Sequence, residues 1–305
     1  MKNILLKIRT LILFLPICLF AQVIDSNKSL ESTPPLFDEV NVNIDGFLDE
    51  EPWSKSLFLS KFTSYLPVDG RPAEDDTHIK IWYTSKALYI GITAWEIHDE
   101  VRSTLADRDN LENDDYILLF LDTYDDQRSA YAFAVNPIGQ QGDGIITDRT
   151  TTLSRNSTLT FNLDDNPDYV FTSKGRLTDR GYVVEIEIPF KSLRYKKSDI
   201  QNWGFNVLRR VQHSGYRSTL FKVNLDVASF LAQSGKLVNI SGIDRDKIFE
   251  ISPEFRTSLQ RGPAPEKYKS SSNDLLGVNM RYGLSSNIIL NGTVNPDFSQ
   301  IEADV

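Results

Sequence analysis

The stretch "NDDYILLFLDTYDDQR", Asn113 to Arg128, decides the fold class. Tyr116 to Leu121 are apolar without interruption and have acids on both sides. A short run of this kind reads as a central strand covered on both faces. Working outward, "HIKIWYT" (78–84), "ALYIGITAWE" (87–96) and "AYAFAVN" (130–136) alternate or are rich in β-branched and aromatic residues. So are "YVVEIEIPF" (182–190), "WGFNVLRRV" (203–211) and "STLFKVNL" (218–225), and Gly, Pro, Asn or Asp bounds each segment. No long helical period competes with them, so the chain is predicted to be all-β, a β-sandwich occupying residues 36–242. In "HIKIWYT", Trp82 alternates against Ile79, Ile81 and Tyr83 and is expected on the opposite face.

The sandwich is entered through "VNIDGFLDEEPW", Val42 to Trp53. Val42 and Ile44 alternate with asparagines as in a half-buried strand, and Asp45-Gly46 is a turn signal. Asp49 is placed to cap a short helix, with Glu50 and Glu51 at its positive end and Pro52 in its first turn. Leu48 and Trp53 are spaced to pack together, which makes Trp53 a core anchor rather than a binding residue. The glycine-rich "NPIGQQGDG" (136–144) lacks the spacing of a phosphate loop and has no helix after it, so a hairpin is predicted there.

The first 21 residues read as a signal peptide: Lys2, Lys7 and Arg9 precede the apolar run "LILFLPICLF", which ends at Ala21-Gln22. The only cysteine, Cys18, lies in that segment, so the exported chain after a 22–35 polar leader would hold no disulfide. The formal charge of −9 becomes more negative when the three leader cations are removed. That surface argues against nucleic acid and suits calcium or neutral polar ligands.

Beyond Asp246 the texture changes. "FEISPEFRTSLQ", "LLGVNMRYGL" and "NIILNGTVN" alternate weakly, as strands of a membrane β-barrel or of a soluble hairpin do. Three strands cannot close a barrel, so either residues 247–305 are the start of a barrel domain that is incomplete here or the barrel reading fails.

Acids are densest between Asp107 and Arg128. Asp107, Asp109, Asp114, Asp115, Asp122 and Asp125 are candidate calcium ligands on loops flanking a strand; the alternative is a solvated strand end. A pair of carboxylates for glycoside hydrolysis cannot be selected among 42 acids. His78, His98 and His213 lack zinc-ligand spacing, and no G-x-S-x-G elbow is present. Aromatic rings are the other route to a sugar, and Trp95, which closes a strand beside "EIHDE", is placed to reach a rim.

"VNIDGFLDEEPW", "YTSKALYIGITAWE", "NDDYILLFLDT", "YAFAVNPIGQQGDG" and "GYVVEIEIPFKSLRY" together resemble the family 9 carbohydrate-binding modules. The resemblance implies a calcium-containing β-sandwich in which sugar chain ends lie between two tryptophans. The tail, from "LRYKKSDIQNWGFNVLRR" to "RYGLSSNIILNGTVNPDFSQIEADV", is similar to Gram-negative cell-envelope proteins in which such a module precedes an outer-membrane β-barrel. The implied function is an exported, non-catalytic domain that binds a polysaccharide or oligosaccharide in the cell envelope, in support of its capture or catabolism. The alternatives are a structural or partner-binding domain of the barrel and a glycoside hydrolase.

At the family's sugar-binding positions the sequence departs from the pattern. Leu111 or Glu112 stands where the first stacking tryptophan is expected, Leu118 near an expected acid, Ala134 at an expected arginine and Phe230 at the second tryptophan. The residues left to form a site are Trp95, Arg108, Asn136, Gln140, Gln141 and Phe230.

Overall fold

The computed structural model describes residues 31–38, 40–98, 100–105, 108–147, 167–243, 249–260, 271–285 and 288–295. The signal peptide, the first part of the polar leader and Asp107 lie outside them. In chain order the elements begin with β1 (Glu31–Ser32), α1 (Glu51–Lys55), β2 (Leu57–Leu59), β3 (Thr63–Leu66), β4 (Thr77–Tyr83) and β5 (Ala87–Trp95). There follow β6 (Tyr116–Asp122), β7 (Ser129–Val135), β8 (Gln141–Thr147), β9 (Thr172–Thr178) and β10 (Gly181–Pro189). The chain continues through β11 (Ile200–Arg210), β12 (Arg217–Thr219), β13 (Gly235–Ser241), β14 (Phe249–Gln260), β15 (Ser271–Ser285) and β16 (Ile288–Val294).

Two sheets face each other. The first runs β1-β13-β11-β6-β7-β8, with β12 and β3 paired off its β11 side. The second runs β2-β4-β5-β10-β9. Between them, Ile79, Ile81 and Tyr83 of β4, Ile90 and Ile92 of β5 and Val184 and Ile186 of β10 meet Ile117, Leu119 and Leu121 of β6 and Phe205 and Val207 of β11. As the continuous apolar run predicts, β6 is buried at every position. Its odd residues enter this inter-sheet core and its even residues, Leu118 and Phe120, enter a second apolar cluster on the far face.

The entrance segment covers the outer face of the second sheet. Trp53 and Trp82 meet edge-on at 5.5 Å, and Trp82 stacks on Tyr89 at 4.0 Å. Phe37, Val42, Ile44 and Leu48 pack against this cluster. Trp82 does face away from Ile79, Ile81 and Tyr83, as its alternation requires. The segment also ties down a buried acid: Oε2 of Glu185 accepts the N–H groups of Asp45 and Gly46, both at 3.0 Å.

Two local expectations need correction. Residues 42–44 form no strand and pair with none. Glu50, not Asp49, occupies the N-cap of α1, and it makes no side-chain cap. Its Oε1 accepts instead from the N–H of Asn43 at 3.3 Å, so the acid fastens the loop and not the helix. The polar leader is also not wholly outside the fold, because β1 pairs in parallel with β13, Glu31 opposite Lys236.

The glycine-rich stretch is the β7–β8 hairpin, with Val135 opposite Gln141 and Gly139 at φ +92°. Its loop lies so close to β9 that a Cβ on Gly175 would stand 2.4 Å from the carbonyl oxygen of Pro137. Asn136 organises the loop: Nδ2 donates to Asp114 at 2.8 Å and to the Thr104 carbonyl at 3.1 Å, while Oδ1 accepts from Ile138 and Gln140.

Strands β14, β15 and β16 form an antiparallel meander, and no closed sheet is found among the described residues. Register places Phe249, Ile251 and Phe255 opposite Tyr282, Met280 and Leu276, and Tyr282 and Val278 opposite Leu290 and Val294. Partners in such a pair share a face. This face is therefore apolar, and Phe249, Ile251, Phe255, Leu276, Met280, Leu290 and Val294 on it are all exposed. Ser252, Glu254, Asn279 and Arg281 alternate onto the other face. No described helix is long and apolar enough to cross a membrane.

Candidate functional site

The four positions at which the sequence departs from the sugar-binding pattern come together on the outer face of the first sheet. Leu118 and Ala134 are direct cross-strand partners. Leu111, Leu118 and Ala134 have no exposed surface, and Phe230 is 3% exposed. The Phe230 ring packs edge-on against Phe120 at 5.0 Å and Tyr65 at 5.8 Å, and Val223 and Leu231 belong to the same cluster. Where a groove would need a ring and polar groups open to water, this face holds a small apolar core.

Arg108, Gln141 and Asp143 form a second constellation at the β8 edge. Nε of Arg108 donates to Asp143 at 2.8 Å, its NH1 donates to Gln141 at 3.0 Å, and its NH2 reaches the Tyr169 carbonyl at 2.8 Å. Gln141 in turn donates to Ser173 at 2.9 Å and to the Phe171 carbonyl at 3.1 Å, tying β8 to β9. The Asp143 carboxyl is pushed up by burial, against the opposing pull of the Tyr169 N–H and Arg108. Asp109, Asp143 and Asp168 each offer an oxygen within 4.8 Å of the others, the one such trio among the described residues.

Trp95 belongs to a third place. It ends β5 on the outer face of the second sheet, its ring 4.4 Å from His78, which in turn meets Phe58 at 4.8 Å. Behind it, on the core side, lies Arg209, whose side chain is 1% exposed. Its guanidinium donates to the carbonyls of Trp95 and Asp76 and to Thr77, and lies 3.7 Å from Glu96 and 3.8 Å from Asp75. Burial pushes the neighbouring Asp115 carboxyl up to about 6. A buried arginine with carboxylate and carbonyl partners is a cross-sheet clamp, since removing its partners would strand a charge.

The profile of the family described as "Carbohydrate family 9 binding domain-like" matches residues 44–224. The chain belongs to this family. Among solved structures, the family 9 module of Caldicellulosiruptor kristjanssonii in complex with cellotriose is 15% identical, with a TM-score of 0.47 over 69% of this chain and 94% of that one. The same module in complex with glucose gives 14% identity and a TM-score of 0.47, covering 68% and 95%. A protein of Bacteroides uniformis gives 13% and 0.49, covering 69% and 99%. A search of curated proteins returned no match.

In this family member the six ligand-binding candidates do not form one surface. Arg108 and Gln141 share a hydrogen bond, and Gln140 and Asn136 lie on the adjoining loop. Asn136 is fully buried and its amide is committed to the fold. Phe230 lies in the apolar cluster, so its ring offers no free face. Trp95 is on the other sheet.

The acids separate in the same way. Asp114 accepts from Thr104 and Asn136, Asp115 from the N–H of Gln212, and Asp122 from the N–H groups of Tyr124 and Gln127, while Asp125 pairs with Lys236 at 2.7 Å. Of the described candidate calcium ligands only Asp109 belongs to the carboxylate trio, and Asp107 lies outside the described residues; Asp143 and Asp168 had no sequence signal because each lies in a different segment. The trio's oxygens suit a hard cation. Arg108 already pairs with two of its members, Asp143 and Asp168, so a metal ion would compete with the guanidinium for the same carboxylates.

Proposed function

We propose that the protein is an exported, non-catalytic carbohydrate-binding-type domain of the cell envelope, carried on β-strands of an outer-membrane barrel and serving capture of a polysaccharide or oligosaccharide. Family membership over residues 44–224 is the observation that carries the sugar-binding half. The membrane half is supported by the two-faced meander of β14 to β16, whose exposed apolar face and polar reverse match the alternation of lipid-facing and lumen-facing residues.

A second reading keeps the fold and makes the sandwich a structural or partner-binding domain. The apolar filling around Phe230, Leu111, Leu118 and Ala134 favours it, because it removes the stacking and hydrogen-bonding groups of the family's sugar site. A glycan array probed with the full chain separates the two. Reproducible binding to any sugar class supports the first reading, and a blank array together with a co-purifying envelope protein supports the second. Flotation with lipid vesicles tests the membrane half: chain that stays at the bottom of the gradient contradicts it.

A further inference from the structure

We propose that the cleft between the β6–β7 end of the sandwich and the β14–β16 meander binds a carboxylate-bearing sugar, a uronate unit of an acidic oligosaccharide. This rests on the carbohydrate-binding reading and moves recognition away from the face that Phe230 fills. The cleft has a volume of about 1000 Å³, at the upper end of the roughly 300–1000 Å³ usual for ligand pockets.

Its lining combines rings and cations. Tyr124, Tyr131 and Tyr169 contribute the rings, and Tyr131 and Tyr169 meet edge-on at 4.9 Å to form one wall. Tyrosine offers a sugar both an apolar face and a hydroxyl. Lys191, Arg194 and Arg281 contribute the cations. The hydroxyl of Tyr131 accepts the backbone N–H of Arg194 at 2.9 Å, which fixes that residue beside the aromatic wall.

The chain as a whole carries an excess of acids, so a cleft lined by several cations differs from it in sign. Lys191, Arg194 and Arg281 are exposed; Lys191 and Arg194 pair with no acid among the described residues, while Glu250 stands opposite Arg281 in the β14–β15 register. The one carboxylate lining the cleft, Asp168, is held 3.6 Å from Arg108. With Arg281 facing Glu250 across the strand pair and Asp168 facing Arg108, Lys191 and Arg194 leave the cleft a modest positive excess. That balance suits a ligand with one negative charge per unit, and a guanidinium fork matches a planar carboxylate.

Calorimetry on the full chain tests this with four probes: oligogalacturonate, its neutral methyl ester, a cello-oligosaccharide, and vesicles containing phosphatidic acid. The expected result is binding of oligogalacturonate at least tenfold tighter than of its methyl ester or the cello-oligosaccharide, weakening as salt is raised. The double variant Lys191→Gln/Arg194→Gln, at two exposed positions, is expected to lose at least tenfold while melting as the native chain does. Equal affinity for the acid and its ester overturns the proposal, as does binding that the double variant leaves unchanged. Preference for phosphatidic acid vesicles over oligogalacturonate overturns it in favour of a lipid phosphate. Neutral-sugar binding alone would overturn the cleft assignment and leave the carbohydrate-binding reading standing; silence in every sugar arm removes both.

Discussion

Glu185 stands on a strand of the second sheet with no exposed surface, and burial pushes its carboxyl up to about 7 although two backbone N–H groups point at it. Its ordinary value is about 4.3, so the folded chain holds the proton more tightly than the unfolded chain. The sign follows: stability is fully present below the unfolded value and is lost as pH rises through about 7. Asp115, raised to about 6, acts in the same direction. The melting temperature is therefore expected to fall between about pH 4 and 7 and to level off above that. Glu185→Gln, which still accepts both N–H groups through its amide oxygen, should melt higher than native at pH 8 and keep only the slope that Asp115 gives between about pH 4 and 6. An unchanged slope in the variant would show that Glu185 ionises freely. Arg108 gives a second test. Replacing it with Gln removes the cation from the Asp109–Asp143–Asp168 trio, so millimolar calcium should raise the melting temperature of Arg108→Gln by several degrees more than that of the native chain. Equal shifts would place any calcium effect elsewhere.

Among the elements, the entrance segment and β5 fit together through a missing side chain. A Cβ on Gly91 would stand 2.6 Å from a methyl of Leu48 and 2.9 Å from the Trp53 ring. Gly91→Ala should therefore cost about 1–3 kcal/mol by overpacking, measurable by chemical denaturation. Full recovery in the pair Gly91→Ala/Leu48→Ala would show the methyls to be the obstacle, and no recovery would shift it to Trp53. The large pieces of this arrangement were legible in the sequence: period-two alternation sent Trp82 away from Ile79 and Ile81, and Trp53 read as an anchor. The contact with Gly91 was not, because it depends on the angle at which one segment crosses a sheet. The β6 strand was readable from its unbroken apolar run, and the family pattern located Leu111, Leu118, Ala134 and Phe230. That these four fill one another's space needed the three-dimensional fold. Asp143, Asp168 and Arg209 escaped notice because their partners come from strands far along the chain, where no local spacing records them.

At the scale of the molecule, the sandwich is layered: the entrance segment, two sheets, and an apolar cluster beneath the loops that carry Leu111 and Phe230. The parallel pairing of β1 with β13 has a mechanical consequence. Glu31 lies opposite Lys236 at the start of β13, whereas the chain leaves for the meander from the far end of that strand. Asn239 reaches Thr33 at 3.2 Å, extending the clasp. A pull applied between the two ends would slide these segments past each other and load their bonds together, instead of peeling them one at a time. Single-molecule stretching from residue 30 to residue 243 should show a high rupture force, lowered by Ser32→Pro, which removes an N–H from β1; a force indifferent to that change would place the mechanical clamp elsewhere in the sheet.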